Sequence, residues 1–150
     1  MTYQKTLRGQ GGQAMIEMAL VVTLLVTLSI GILEVGRAFM ILNMITNATR
    51  DGARLAAGAG PNSRDASGNL SDPTKTAIHD QVVAQINTVD AQTTVSTAAT
   101  AMFNQTTIGT APNTVPVVQI TVSGTVPLMF NLLGGPISFT RVASFRDEGK

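Results

Sequence analysis

Apolar and polar positions divide the chain into a greasy first third and a more mixed remainder. From Ala14 to Leu33, Glu17 is the one charged side chain, and the stretch Met18 to Leu33 carries none. Twenty helical residues rise about 1.5 Å each and so reach roughly 30 Å, the thickness of a hydrocarbon core. A helix apolar on every face needs either a large surrounding domain or lipid, and a chain of 150 residues leaves too little for the former. The pattern therefore predicts one membrane span over residues 14–33. Helical patterning continues through Val35, Ala38, Ile41, Ile45 and Ala48 to Ala56, and no proline interrupts Gln13 to Gly60. The expected helix, residues 13–57, is too long for the bilayer. Its second half must pack on the C-terminal domain or on neighbouring chains.

Residues 58–72 are rich in Gly, Ala, Ser, Asn and Asp and predict a linking loop open to proteases. Asp72 before Pro73 resembles a cap with proline in the first turn, and Ile78, Val82 and Ile86 follow at four-residue spacing. A short amphipathic helix over residues 73–89 should rest on a sheet. The threonine-rich residues 91–114 suit an edge strand plus loop, or disorder. Val118, Ile120 and Val122 alternate with Gln119, Thr121 and Ser123, predicting a one-sided strand over 115–126. A second strand, 137–145, places Ile137, Phe139, Ala143 and Phe145 on one face, with Arg141 interrupting. The two strands make an antiparallel hairpin. The connecting residues, Pro127 to Pro136, are too apolar for an ordinary solvated turn. They either fold under as core or form an exposed patch for a partner or a bilayer surface. The fold class expected is α+β: one long N-terminal helix, then a small exported head over residues 73–150.

Composition narrows the chemistry. A net charge of +1 with 13% charged residues gives no footprint for a nucleic-acid backbone. No cysteine is present, so disulfides and thiolate metal sites are excluded. His79 is the one histidine, better read as a solvated helix residue than as an acid-base group, and the carboxylates are scattered singly. Gly134-Gly135 lacks the lysine and helix of a phosphate loop. Neither a catalytic site, a metal site nor a cofactor site is expected.

The charges that remain cluster around the span. Lys5 and Arg8 precede it, which predicts a cytoplasmic N-terminus and an exported C-terminus. Glu34 with Arg37, and Asp51 with Arg54, are three apart, and Arg50 with Arg54 four apart, so each pair shares a helical face. They read as solvated ion pairs or as contacts between subunits. Gly31 and Gly36 reduce bulk where another helix could approach. Glu17 is the costly residue, because a carboxylate at the head of an apolar span calls for a partner. Cutting between Gly12 and Gln13 would make Glu17 the fifth residue and create a positive α-amine on Gln13. That amine in one copy could neutralise Glu17 in the next, so burial of both would require stacking in register.

These residues resemble the TadE-like minor pilins, or pseudopilins, of the tight-adherence (Tad) pilus system. The resemblance rests on Gly12 followed by Glu17, the apolar Met18-Ala19-Leu20-Val21-Val22, the exit motif Glu34-Val35-Gly36-Arg37, and Ala48 to Ala57 with Arg50, Gly52 and Arg54. Val126-Pro127-Leu128, Leu132-Leu133-Gly134 and Ile137-Ser138-Phe139-Thr140 add a weaker likeness. The resemblance implies that a prepilin peptidase removes residues 1–12 and that the mature chain sits once in the bacterial inner membrane. It implies assembly with other pilin-like subunits on a pilus platform, ending at the cell surface in adherence and biofilm formation. Gly12 and Gln13 would be the processing residues, and Glu17, Glu34, Gly36, Arg37, Arg50, Gly52 and Arg54 the assembly residues. Met18 stands where related major pilins have tyrosine. A stationary single-span anchor that scaffolds envelope machinery without entering a filament is the alternative. A secreted enzyme behind a cleavable signal peptide fits poorly, since the apolar run is long, carries an acid and continues as helix.

Overall fold

The structure, a computed structural model, describes residues 10–130 and 134–148. Helix α1 runs Gln10–Ala57. A 3-10 turn at Pro61–Ser63 and helix α2, Asp72–Val89, follow. Strand β1 (Thr94–Val95), the single-turn helix α3 (Ala99–Met102), β2 (Phe103–Ile108), β3 (Val115–Val126) and β4 (Ile137–Arg146) complete the order. The class is α+β, as the pattern predicted. Contacts divide the chain into two units, one ending at Gly36 and one beginning at Arg37.

In the first unit the large apolar side chains from Met15 to Leu33 are exposed, save Ile30, which is half-buried. One helix of this chain is thus long and apolar enough to cross a membrane. Its few hydroxyls are internally satisfied: Thr23, Thr27 and Ser29 each donate to the carbonyl four residues back at 2.8 Å. That arrangement removes the cost of placing a free hydroxyl in hydrocarbon.

The second unit has its own core. Ala38, Ile41, Ile45, Thr49, Ala53 and Ala56 are buried along one stripe of α1, at the three- and four-residue spacings of a helix face, with Ala48 buried beside them. Ile78, Val82 and Ile86 supply the buried face of α2, as their spacing predicted. Both helices meet the inward face of a sheet, where Val118, Ile120, Val122 and Val126 come from β3 and Phe139 and Ala143 from β4.

Strand β3 is the spine of that sheet. It pairs antiparallel with β4 from Val117↔Arg146 to Val126↔Ile137. On its other edge it pairs with β2 near its start and with β1 near its end. The threonine-rich segment therefore supplies an edge strand interrupted by α3, a helix that the sequence pattern did not announce. Met102 is buried there, which fixes the interruption in the core.

Three details differ from the pattern-based reading. The α2 cap is Ser71, one residue earlier than expected, and its hydroxyl lies 2.8 Å from that of Thr74. Arg141 does not break β4, because its Nε donates 3.1 Å to the Thr46 hydroxyl on α1 while the strand runs through. Segment 58–72 is tied down rather than open, with Leu70 fully buried and an Arg64↔Leu70 bridge. In the β3–β4 connection, Met129 and Phe130 are exposed, which favours the surface patch over the core for these two. Leu132 and Leu133 lie outside the described residues.

Candidate functional site

At the head of α1 the helix carries Gln13 and Glu17 one turn apart, and Gln13 Nε2 donates 3.1 Å to Glu17 Oε1. Both side chains are exposed. Gly12 has open space where a side chain would stand, and so do Gly31 and Gly36. The smooth helix surface at these glycines is a surface on which backbone could approach backbone. Glu34, in the same unit, is buried.

Arg37 opens the second unit and is held at two points. Its Nη1 lies 3.5 Å from Asp90 Oδ2, just past the end of α2, and its Nη2 donates 2.6 Å to the Pro127 carbonyl, just past the end of β3. One guanidinium so fastens α1, the α2 terminus and the hairpin together. The planar fork of arginine suits this, since it serves several acceptors from one rigid group.

Arg50 is exposed. Asp51 and Arg54 form the solvated pair that their spacing allowed, at 3.8 Å, and the Arg54 guanidinium stands 5.4 Å from the Phe145 ring centre. Gly52 has a packing role within the head: a Cβ there would lie 2.5 Å from Val82 Cγ2 and 3.5 Å from Ile120 Cδ1. The glycine lets α2 and the sheet close on α1.

A second charged centre lies where no local pattern pointed. Arg64 Nη1 and Nη2 donate to the two Asp147 carboxylate oxygens at 3.0 and 2.5 Å, and both side chains are only 4% exposed. Arg64 also donates to the Ala59 and Gly68 carbonyls, and Gln105 Nε2 reaches Asp147 at 3.4 Å. A neighbouring hollow of about 320 Å³ is lined mainly by Asn69, Gln105, Thr106 and Thr107. His79 is half-buried rather than solvated, its ring nitrogens 2.9 Å from Asp80 and 3.2 Å from the Thr97 carbonyl. Among the described residues no three His, Cys, Asp or Glu side chains converge as metal ligands.

The longest continuous feature on the molecule is thus α1, exposed and apolar at one end and packed at the other. Residues 12–54 match the family model described as TadE-like protein. The resemblance read from the residues is borne out over this stretch, which takes in Gly12, Glu17, the exit motif and Arg50 to Arg54. The TadE-like match stops before the loop and most of the head. The chain matches no curated protein and no solved structure.

An N-terminal apolar helix of TadE-like pattern fits a single-pass membrane anchor. The TadE-like stretch also includes the last turns of α1 that the head covers, so one family pattern carries two kinds of surface. Ile41, Ile45 and Ala48 are answered by this chain's own sheet and α2. The large apolar side chains from Met15 to Leu28, with Ile32 and Leu33, are exposed.

Proposed function

We propose that this protein is a pilin-like structural subunit of a Tad-type pilus, cut between Gly12 and Gln13 and inserted in the bacterial inner membrane with its C-terminal part exported. The observation that carries the reading is the TadE-like helix, with an exposed apolar surface on which Glu17 is the one charged residue from Ala14 to Leu33. In this reading, lipid covers that surface before assembly and other pilin-like subunits cover it afterwards. Lys5 and Arg8 on the short leading side support the orientation.

The role of Glu17 follows from its cost. A carboxylate moving from a headgroup layer into a packed bundle needs a counter-charge. Cleavage supplies one, the α-amine of Gln13, which stands within one turn of Glu17 on the same helix and can be offered to the Glu17 of an adjacent copy. The Gln13 side chain already donates to Glu17, so the acid's position is compatible with a donor from that quarter. Glu34, Gly36, Arg37, Arg50, Gly52 and Arg54 support assembly, Gly52 and Arg37 by holding the head together, the buried Glu34 from within the fold, and Gly36, Arg50 and Arg54 by facing neighbours. The prepilin peptidase and the assembly platform are the partners, adherence and biofilm formation the outcome, and the role is structural rather than enzymatic.

Sequencing the N-terminus of the protein extracted from its native membranes tests the proposal. A terminus at Gln13, with part of the protein in sheared surface filaments, is expected. An intact Met1 with all protein left in the membrane fraction would instead make the chain a stationary anchor.

A further inference from the structure

We infer that the two open edges of the head's sheet fit one another, so that β4 of one copy adds in parallel to β2 of the next and Arg146 seats in the polar hollow beside β2. The inference rests on the reading of this chain as an assembling subunit, and it adds a contact between heads to the helix contacts proposed above.

Strands β2 and β4 each pair with β3 alone, and among the described residues no other backbone–backbone hydrogen bond reaches either of them. Each therefore presents a row of N–H and C=O groups on which a further strand can form. Proteins usually guard such edges with proline, lysine, a bulge or a charge turned inward. Strand β4 has no proline, lysine or glycine, and its ladder with β3 runs unbroken from Ile137 to Arg146. Its inward charge, Arg141, bonds Thr46 on α1 and the Thr140 carbonyl, both away from residues 143–146. Strand β2 carries neither proline nor charge.

Charge decides which strand comes. Arg37, Arg54, Arg64 and Lys75 of the second unit are paired with carboxylates. Arg50, Arg141 and Arg146 take part in no ion pair among the described residues, and all three lie along β4. Thr46 bonds Arg141 and Arg54 stands over Phe145, which puts Arg50 between them on the same helix face. A second β4 laid antiparallel on this edge would bring like charges together, which is destabilising. Edge β2 is the complement. The hollow at its side is lined by the amides and hydroxyls of Asn69, Gln105, Thr106 and Thr107, and the turn beside it holds the exposed Asp65.

The register follows from β3. Val117 is opposite Thr106 on one side and Arg146 on the other, and Gln119 is opposite Asn104 and Ser144. Both edge strands run antiparallel to β3 and hence in the same direction. A sideways repeat of the head therefore pairs them in parallel, with Arg146 against Thr106 at the mouth of the hollow. The unshifted register keeps inward residues inward. The overlap, residues 103–106 with 143–146, is short, and a parallel ladder of that length holds only where other contacts already keep the copies together. The contact is heterologous: it leaves one β2 and one β4 open, so it repeats along an assembly rather than closing at two copies. Three strands span about 14 Å, whereas two helices side by side need about 16–20 Å. Successive heads therefore turn relative to one another, and the joined sheet bends away from its helix layer.

Because the chain has no cysteine, thiol crosslinking has no background. Asn104→Cys and Ser144→Cys, both at exposed positions, are placed in the full chain in its native host, and intact cells are treated with a short bismaleimide. The double variant is expected to give a ladder of dimers, trimers and longer products in sheared filaments, and either single variant none. In that double variant, Arg146→Glu and separately Thr106→Arg should each lower the ladder about two- to fivefold, and the two together should restore it. Unchanged hydrogen exchange of β3 amides checks that every head is folded. Filaments that contain the double variant without a ladder overturn this inference and leave the assembly reading standing. Absence of the unsubstituted protein from filaments overturns the assembly reading, and this inference with it. Dimers from Ser144→Cys alone assign β4 to a two-fold pair, and a product with a different protein assigns it to a foreign strand. Either overturns the inference, as does a ladder that Arg146→Glu leaves unchanged or that the joint replacement fails to restore.

Discussion

Replacing Asp147 by asparagine should cost the head a large share of its stability, because it removes one charge from a pair that is almost fully buried. The carboxylate accepts both Arg64 Nη groups and one Gln105 bond, while its own backbone N–H donates 2.9 Å to the Pro116 carbonyl and so fixes it in place. Asp147→Asn leaves the guanidinium, 4% exposed, opposite a neutral amide. Breaking one side of such a pair costs about 3–5 kcal/mol, against a total of about 5–15 kcal/mol for an ordinary domain. The exposed Asp51–Arg54 pair, with side chains 50% and 67% accessible, gives the contrast; losing it should cost at most about 0.5 kcal/mol. Hydrogen exchange of β3 amides, followed by mass spectrometry on the full chain in detergent micelles, reads the difference. At 1.4 kcal/mol per tenfold, Asp147→Asn should lower protection by about a hundred- to several-thousand-fold, and Asp51→Asn by no more than about two- to threefold. The joint replacement Arg64→Met with Asp147→Leu should recover much of the loss, since it buries no charge at all. A loss below tenfold for Asp147→Asn, or a joint variant less stable than the single, would refute the reasoning.

Three further outcomes follow from the same structure. Gly52→Leu should destabilise the head by roughly 1–3 kcal/mol through overpacking, although leucine is the better helix former, and Val82→Ala should relieve part of it; thermal unfolding of the three variants checks the sign. Gly124→Val should also destabilise, against β propensity, because a Cβ there would stand 1.9 Å from the Thr94 carbonyl oxygen and 2.8 Å from the Phe139 ring; faster exchange at Val95 and Ser96 than elsewhere in the sheet would show the edge lifting first. Glu17→Lys should leave membrane insertion intact and lower incorporation into sheared filaments, since two positive groups would then face each other. Normal incorporation of that variant would remove the neutralisation mechanism while leaving the subunit assignment standing.

Periodicity along the chain determined a good deal by itself. The uncharged run to Leu33, the Ile78–Val82–Ile86 stripe and the alternation through Val118, Ile120 and Val122 each report which side of a local element faces away from water, and that property is written within a few residues. It was enough for the long apolar helix, α2, the hairpin and the α+β class. Gly12 and Glu17, at the start of α1, were visible for the same reason, because they stand out by their distance from each other and from the apolar run. Only the tertiary structure decided what Arg37 and Gly52 touch. Arg37 meets Pro127 across 90 residues of sequence and Arg64 meets Asp147 across 83, and no local pattern specifies a partner so far away. The same holds for α3, whose alanines and Met102 favour a helix but which is too short to show a period; the burial of Met102 in the core is a tertiary fact. Local spacing fixes which face an element buries; which charge or methyl group it meets there depends on the path of the whole backbone.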